Sequence, residues 1–275
     1  MIFNKIGIIT NEKKDPLFEH TKNLIDYLSD KKNITIYTEK NCEDLYKICN
    51  IFIILGGDGT ILRTAAKAAL YNIPVIGINL GRIGFMSEIE SDEIYLLDSL
   101  FTGDYEIRSR MMINAEIIKQ TGEIIQAGTA LNDAVVTNGG ALAKIIEIDI
   151  ACDGVKIMKY RADGIIASTP TGSTAYSMSA GGPVIDPDIE CFCITPICPH
   201  SFVNRSLVFS HDSVIEIINK NINSDVYLTI DGQIHTKLDE TDIVRIKKSG
   251  FSAKLIAIKR HSFFDVVRKK ISENF

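Results

Sequence analysis

The spacing of hydrophobic positions divides the chain into two parts with different periods. In the first hundred or so residues, short apolar runs alternate with segments whose apolar residues recur every three or four positions. The pattern predicts strands at 6–10, 34–37, 51–55 and 75–79, and helices at 15–30, 61–70 and 92–100. Strands separated by helices indicate a mostly parallel sheet that is covered on both faces. Ligands on such sheets bind at the carboxyl ends of the strands.

From residue 105 onward the apolar positions instead alternate along short runs. These runs predict strands at 109–119, 124–132, 144–151, 155–162, 214–219, 226–230 and 243–247. Turn signals such as Thr121-Gly122, Asp153-Gly154 and Asp231-Gly232 separate many of them. Short strands at this spacing predict an antiparallel, β-sandwich-like domain. The pattern changes again near the end, with a predicted strand at 255–258 and a helix at 263–271.

The predicted fold class is therefore an α/β N-terminal domain with a mostly parallel sheet plus a C-terminal antiparallel β-sandwich-like domain. We expect the α/β domain to cover residues 1–103 and the β-rich domain to cover 104–252. Residues 253–275 are expected to return to the first domain.

Composition narrows the classes of function. The chain has 275 residues, of which 45% are apolar and 24% charged, with a net charge of −5 and a pI of about 5.6. A chain of this charge has no overall basic field, so we expect no nucleic-acid and no membrane partner. The N-terminus lacks the features of a signal peptide, and we expect a cytoplasmic protein.

The six cysteines fit no compact disulfide framework in a chain of this length. Cys191 and Cys193, with Cys198 nearby, are one residue too close for the usual spacing of zinc ligands. The alternation around them is more typical of a buried strand, in which a free cysteine packs as a small hydrophobic residue.

The glycine turn at residues 56–60, Gly-Gly-Asp-Gly-Thr, follows a predicted strand and precedes a predicted helix. Glycines allow close backbone approach, and a helix N-terminus attracts anions, so this is a candidate phosphate site. Asp58 would repel a phosphate, which suggests that it holds a metal or accepts a proton. The simpler alternative is a tight turn whose aspartate caps the helix. The sequence does not match a P-loop or a dinucleotide-binding glycine motif.

A second candidate is the hydroxyl-rich segment at residues 163–183, which follows a strong apolar strand. It combines serines, threonines and glycines with Pro170, Pro183 and one central aromatic residue, Tyr176. A linker or surface loop can have this composition. Directed hydrogen-bonding groups around an aromatic surface are also what a nucleoside requires.

Taken together, these segments resemble the NAD kinase family. The glycine turn, Leu131-Asn132-Asp133-Ala134-Val135 and the hydroxyl-rich segment have the order and approximate spacing of that family, over nearly the whole chain. Residues 79–86 and 199–202 look similar as well. The glycine turn alone is shared with diacylglycerol kinases, sphingosine kinases and phosphofructokinases. The hydroxyl-rich segment together with Asn132-Asp133 is far more specific.

The resemblance implies ATP-dependent phosphorylation of the 2′-hydroxyl of the adenosine ribose of NAD, giving NADP. It implies NAD and ATP as substrates, a divalent metal ion (Mg²⁺) that travels with ATP, and a homodimer or homotetramer. No direct protein ligand of a metal is assigned. By the resemblance, Asp58 is the general base that accepts the proton of the attacking hydroxyl.

The resemblance also implies which residues contact the nucleotides. Beside Asp58 these are Gly59, Arg63, Asn132, Asp133, Lys144, Arg161, Asp163, Thr171, Thr174, Ala175, Tyr176, Ser177, Met178, Ser179 and Gln233. Two positions depart from the family pattern, since Asp133 stands where Glu is usual and Lys144 replaces His. A carboxylate that is one methylene shorter is expected to make a looser or water-bridged contact.

Two other functions use the same features. A lipid or sphingoid-base kinase shares the glycine turn, but it needs an apolar acceptor cavity, whereas the hydroxyl-rich segment is polar. A non-catalytic dinucleotide sensor would bind NAD or NADP without transferring a phosphoryl group. Product formation from NAD and ATP separates both from the kinase.

Overall fold

The computed structural model describes residues 3–81, 84–139, 145–200, 204–221, 225–259 and 262–272. The strands are β1 Lys5–Thr10, β2 Thr35–Thr38, β3 Ile51–Gly56, β4 Val75–Asn79, β5 Ile89–Glu90, β6 Glu106–Ile118, β7 Ile124–Ala130, β8 Asp133–Asn138, β9 Ile146–Cys152, β10 Val155–Ala162, β11 Gly164–Ser168, β12 Cys191–Ile197, β13 Leu207–Ser210, β14 Ile215–Asn219, β15 Val226–Ile230, β16 Ile234–Leu238 and β17 Ile243–Ala257.

The helices are α1 Glu19–Ser29, α2 Leu45–Ile48, α3 Asp58–Ala69, α4 Ser99–Thr102, α5 Tyr176–Ser179 and α6 Phe263–Ser272. Short 3₁₀ segments at Ile94–Asp98 and Thr171–Thr174 complete the regular structure of the described residues. None of the described helices is long and apolar enough to cross a membrane.

The chain forms two compact units, one made of residues 1–110 and 251–275 and the other of residues 111–250. The long strands β6 and β17 each contribute residues to both units.

In the first unit, parallel strands are ordered β4-β3-β1-β2, and the last residues of β17 pair in parallel with β4. One face of this sheet packs on Leu24 and Leu28 of α1 and on Leu97 and Leu100. Helix α3 covers the other face. Its Ile61 packs so closely on Gly77 of β4 that any side chain at Gly77 would overlap it. The parallel sheet with helices on both faces confirms the predicted α/β class of this unit.

The second unit contains two groups of antiparallel strands. One has the order β10-β9-β14-β17, with β6 and β7 also paired, and the other has the order β13-β12-β11-β8-β15-β16. Inward-facing residues from both groups, such as Ile148, Ile165, Phe192 and Leu228, form one continuous core. Two antiparallel layers around a shared core confirm the β-sandwich-like prediction.

Several predicted elements begin or end elsewhere. The predicted helix at 15–30 begins only at Glu19, because Phe18 has a left-handed backbone conformation that a right-handed helix cannot include. The buried Asp15 carboxylate accepts the His20 and Thr21 N–H groups and the Thr21 hydroxyl. The predicted strand at 255–258 is not separate, since β17 runs continuously to Ala257. The segment predicted as a helix at 92–100 is a 3₁₀ turn that continues into α4.

Candidate functional site

The glycine turn lies at the carboxyl end of β3, where the neighbouring parallel strands β1 and β4 also end. Gly57 is extended, and α3 begins at Asp58. The Asn11 side-chain amide, just after β1, donates to the Thr60 hydroxyl at 2.8 Å. On the other side, the Leu80 N–H donates to the Gly56 carbonyl at 2.9 Å. Both neighbouring strand ends therefore fix the turn in place.

The Asp58 side chain is held by the backbone that follows β4. The Phe85 N–H donates to Oδ2 at 2.8 Å, and the Met86 N–H donates to Oδ1 at 3.1 Å. Gly84 allows this approach, because a Cβ there would overlap the carboxylate. Each carboxylate oxygen accepts one N–H and keeps further accepting capacity, and the side chain is 36% exposed. Asp58 is thus an oriented acceptor that a substrate hydroxyl can reach.

Positive charge flanks the turn. The Lys14 ammonium lies so close to the turn that a Cβ at Gly57 would be 2.6 Å from it and one at Gly81 would be 3.2 Å from it. A Cβ at Gly59 would meet nothing within 4 Å, so the space in front of that residue is open. The exposed Arg63 follows one helical turn later. An ammonium, open space and a helix N-terminus together suit an anionic group such as a phosphate.

The second unit contains a cavity of about 360 Å³, a size typical of small-molecule sites. Its lining combines polar groups with an aromatic ring. The lining residues are Asn132, Asp133, Val135, Thr137, Ala175, Tyr176, Thr229, Asp231 and Gly232. The structure therefore brings together four of the predicted contacts, which are Asn132, Asp133, Ala175 and Tyr176.

Two carboxylates of this cavity differ in their surroundings. Asp231 accepts the N–H groups of Leu131, Asn132 and Asp133 at 2.8–3.1 Å, and this fixes the start of β8. Burial raises the pKa of Asp231, and these three donors lower it in part. For Asp133, burial and then the Asp231 charge raise the pKa from 3.8 to about 7. Within the described part of the chain, the Asp133 carboxylate accepts no hydrogen bond.

The Tyr176 phenol stays protonated at neutral pH. Burial raises its pKa, and the Cys198, Asp163 and Asp133 groups raise it further. The residue remains 45% exposed, so a flat group can reach its side chain and stack against it. The side chain thus offers both a donor and a stacking face to a ligand.

Part of the hydroxyl-rich segment is structural. The buried Ser173 hydroxyl bonds with both the N–H and the carbonyl of Ile185, and the buried Ser177 hydroxyl bonds with Thr195. The Thr169 hydroxyl donates to the Leu131 carbonyl at 2.6 Å. Gly172 packs against the Asn132 carbonyl, where a side chain would not fit. Of these residues, Ser177 is a predicted contact, and the structure places it in the interior instead of at the cavity.

The remaining predicted contacts lie around the cavity lining or outside it. Thr171 and Thr174 are half-buried in the 3₁₀ turn, and Met178 and Ser179 are exposed in α5; these four are not among the lining residues. Gln233 continues the hairpin turn after Gly232 and is exposed.

Arg161 and Asp163 lie at the end of β10. The Arg161 side chain is exposed, and its Nε is 3.7 Å from a carboxylate oxygen of Glu147. Asp163 is half-buried, close enough to Tyr176 for its charge to raise the phenol pKa. Lys144 lies outside the described residues, as do parts of the similar-looking segments at 79–86 and 199–202.

Sequence reasoning did not single out several residues that shape these sites. Lys14 lies far from the glycine turn in sequence, and no local pattern marks it. Gly84 lies in the segment 79–86 that resembles the family, but the sequence predicts no role for it. In the sequence the Asp231-Gly232 pair indicates only a turn. Both residues indeed have positive φ, yet the Asp231 carboxylate also anchors β8. Positions 191 and 193 are buried free cysteines in β12, consistent with the strand interpretation.

Comparisons with known protein families and relatives find matches to both parts of the chain. The model of the ATP-NAD kinase N-terminal domain matches residues 41–105, and that of the ATP-NAD kinase C-terminal domain matches residues 131–258. The NAD kinase of Thermoanaerobacter pseudethanolicus is 40% identical over 98% of this chain and 99% of its own length. The NAD kinase of Geobacter sulfurreducens is 40% identical over 83% of this chain and 80% of its own length.

Two solved structures share the fold. Yeast NADH kinase complexed with NADH has a TM-score of 0.89 at 23% identity, covering 99% of this chain and 88% of the other. An NAD kinase from Archaeoglobus fulgidus in complex with ATP has a TM-score of 0.73 at 26% identity, covering 98% of each chain. Because domain models for both parts of the chain and relatives at 40% identity over nearly its full length agree, the chain belongs to the NAD kinase family.

Proposed function

We propose that this protein transfers the γ-phosphoryl group of ATP to the 2′-hydroxyl of the adenosine ribose of NAD, giving NADP and ADP. Family membership supports the overall reaction. The observation that carries the proposal in this chain is the Asp58 carboxylate, which two backbone N–H groups orient at an anion-attracting helix N-terminus.

Asp58 acts as the general base. A ribose hydroxyl is a weak nucleophile, and a carboxylate within hydrogen-bond reach orients it and takes its proton as the phosphoryl group moves. The hydroxyl oxygen forms a bond to the γ-phosphorus, the bond from that phosphorus to the β–γ bridging oxygen breaks, and ADP leaves. The backbone N–H groups of Phe85 and Met86 keep the carboxylate from rotating away during this step.

The cavity of the second unit holds the adenosine part of NAD. The exposed face of Tyr176 provides a stacking surface, and the side chains of Asn132 and Asp133 provide hydrogen-bonding groups. A cavity of about 360 Å³ with a few convergent polar groups suits a nucleoside. A long lipid chain would offer no hydrogen-bond partner to the polar groups of this lining, which include two carboxylates, an amide and two threonine hydroxyls.

The second substrate is ATP with its divalent metal, Mg²⁺ being the expected ion. In the part of the chain that the structure describes, no cluster of three or more His, Cys, Asp or Glu side chains forms a metal site. A divalent ion carried by the phosphates of ATP would neutralise charge that develops during the transfer. The Lys14 ammonium and the open space before Gly59 are the features that receive these phosphates.

We also propose that the protein forms a homodimer or homotetramer in the cytoplasm. Exposed apolar side chains on the second unit, among them Val155, Val208 and Ile234, support self-association. Its six free thiols are typical of a reducing compartment. Light scattering after size-exclusion chromatography measures the oligomer, and a monomer at all concentrations would contradict it.

The direct test is incubation with NAD, ATP and Mg²⁺, followed by separation of the nucleotides. We expect NADP phosphorylated at the 2′ position. Absence of product with several nucleotide donors and divalent metals, from protein that still binds NAD, would instead favour a dinucleotide sensor.

The base is tested by Asp58→Asn, which keeps the size of the side chain but removes its ability to take a proton. General-base catalysis contributes typically about 10²- to 10⁴-fold, so kcat should fall by that order while NAD still binds. A variant that turns over as fast as the wild type would show that another group is the base. Thermal unfolding of the variant checks that its fold is retained.

A further inference from the structure

The C-terminal helix α6 brings a cation to the proposed base. The Lys270 ammonium is 3.8 Å from Asp58 Oδ2, and it lies 3.9 Å from the centre of the Phe85 ring. Lys270 is three-quarters buried, with 26% of its side chain exposed. A charged side chain that is mostly buried interacts more strongly with a nearby carboxylate than one on the open surface does.

Phe85 holds both partners. Its N–H donates to Asp58, and its ring face lies under the Lys270 ammonium in a cation–π contact. The Phe263 ring, at the start of α6, packs on Phe85 with 6.2 Å between the ring centres. Phe263 and Lys270 are seven residues apart, which places them on the same face of the helix. Phe85 therefore sets the position of the Asp58 carboxylate relative to the Lys270 ammonium.

The distance of 3.8 Å is longer than a hydrogen bond, so this ammonium is an electrostatic neighbour of Asp58 and not a donor to it. A phosphoryl group that approaches a hydroxyl bound to Asp58 brings negative charge toward a carboxylate. A cation within a few ångströms offsets this repulsion, and the oxygens of the transferring group come within its reach. Charge on these oxygens is what phosphoryl-transfer enzymes stabilise.

We propose that Lys270 is a further catalytic residue, whose ammonium contacts a non-bridging oxygen of the transferring phosphoryl group beside Asp58. This inference rests on the proposed function. The ribose oxygen bonds to the γ-phosphorus, the bond to the ADP oxygen breaks, and the proton passes to Asp58. Lys270 takes no part in the proton transfer and supplies charge only. Helix α6 is thereby part of the catalytic machinery.

The test compares Lys270→Met, Lys270→Arg and the neighbouring control Lys269→Met, which removes the same charge from an exposed position of the same helix. Loss of one preorganised donor to transition-state charge typically costs about 10²- to 10³-fold in kcat, and we expect this for Lys270→Met with an unchanged Kd for NAD. Lys270→Arg should recover most of the activity, because it keeps the charge. Lys269→Met should match the wild type.

A structural role predicts a different pattern. If Lys270 only held α6 in place, Lys270→Met would lower the melting temperature while the folded enzyme kept its kcat, and this result would overturn the proposal. Equal loss of kcat in Lys270→Arg and Lys270→Met would also overturn it. If Lys270→Met does not fold, Lys270→Gln, which keeps the aliphatic stem without the charge, takes its place with the same expected loss.

A double-mutant cycle separates this inference from the proposed function. If the two groups act on one step, Asp58→Asn with Lys270→Met should lose less than the product of the two single losses. If the double variant loses the full product of the two single losses, the two groups act independently, and a shared step is contradicted. Failure of the wild type to make NADP would refute the proposed function itself. If the wild type makes NADP and the Lys270→Met variant is equally active, only the proposed role of Lys270 is refuted, and the proposed function stands.

Discussion

Replacing Asp133 with Asn should stabilise the protein, and by more at alkaline than at acidic pH. Asp133 is buried in the cavity of the second unit, and its pKa rises from 3.8 to about 7 on folding. The folded state therefore binds a proton that the unfolded chain has already lost between these two values. Stability consequently falls as pH rises from about 4 to about 7, and the whole penalty is present above pH 7 or so.

The size of the effect follows from the same values. At about 1.4 kcal/mol for each pKa unit, the rise from 3.8 to about 7 corresponds to roughly 4 kcal/mol at high pH. At about pH 5 only part of this penalty has developed, so the difference between pH 5 and pH 8.5 is roughly 3 kcal/mol. Asn cannot ionise, so Asp133→Asn should remove the part of the slope that Asp133 contributes, while Asp231, whose pKa burial also raises, keeps its own part.

Urea unfolding of the wild type and of Asp133→Asn at these two pH values measures the slope. The matched control is Asp231→Asn, because this neighbour accepts three backbone N–H groups that an amide cannot all satisfy. Loss of buried acceptors costs about 1–3 kcal/mol, so the control should be destabilised. If Asp133→Asn keeps the pH slope of the wild type, ionisation of Asp133 does not set it and the reasoning fails.

Three further outcomes are expected. Gly84→Ala should lower kcat sharply, because its Cβ would displace the Asp58 carboxylate, whereas Gly250→Ala, with open space at its Cβ, should leave kcat unchanged; equal activity of both variants would contradict the role of Gly84. Lys14→Met should raise the KM for ATP with little change in the KM for NAD, and steady-state kinetics that show the reverse would remove Lys14 from the donor site. Ser177→Ala should cost about 1–3 kcal/mol in urea unfolding while the folded enzyme keeps its KM for NAD, and a selective rise in that KM would show that Ser177 contacts the ligand.

The fold class followed from the sequence because it depends on local periodicity. The apolar run at 51–55 before three glycines and a helical repeat specifies a strand, a turn and a helix without reference to the rest of the chain. The change to alternating apolar positions after residue 105 likewise marks the antiparallel unit. Such signals report which face of each element is buried, and burial of those faces determines the layers.

Side-chain partners did not follow from the sequence, because they join distant segments. Asp58 meets the N–H groups of Phe85 and Met86, which are 27 and 28 residues away, and the Lys270 ammonium, which is more distant still. In the hydroxyl-rich segment, composition shows many donors but not which of them face the interior. Ser177 lies in the core with a hydrogen-bond partner, whereas Tyr176, one residue earlier, lines the cavity.

Two aspartates of this protein illustrate opposite ways of keeping a carboxylate ready for a ligand. Asp58 is partly exposed and held by two N–H donors, so the direction of its carboxylate is set before any substrate arrives. Asp133 is buried, and no described group donates to it, so its ionised form is disfavoured until a ligand supplies a donor. Neutral apolar residues would make that cavity more stable. A fold that keeps an unpaired acid there sacrifices stability at a position where binding can recover it, which is the pattern expected of a binding site and not of a structural core.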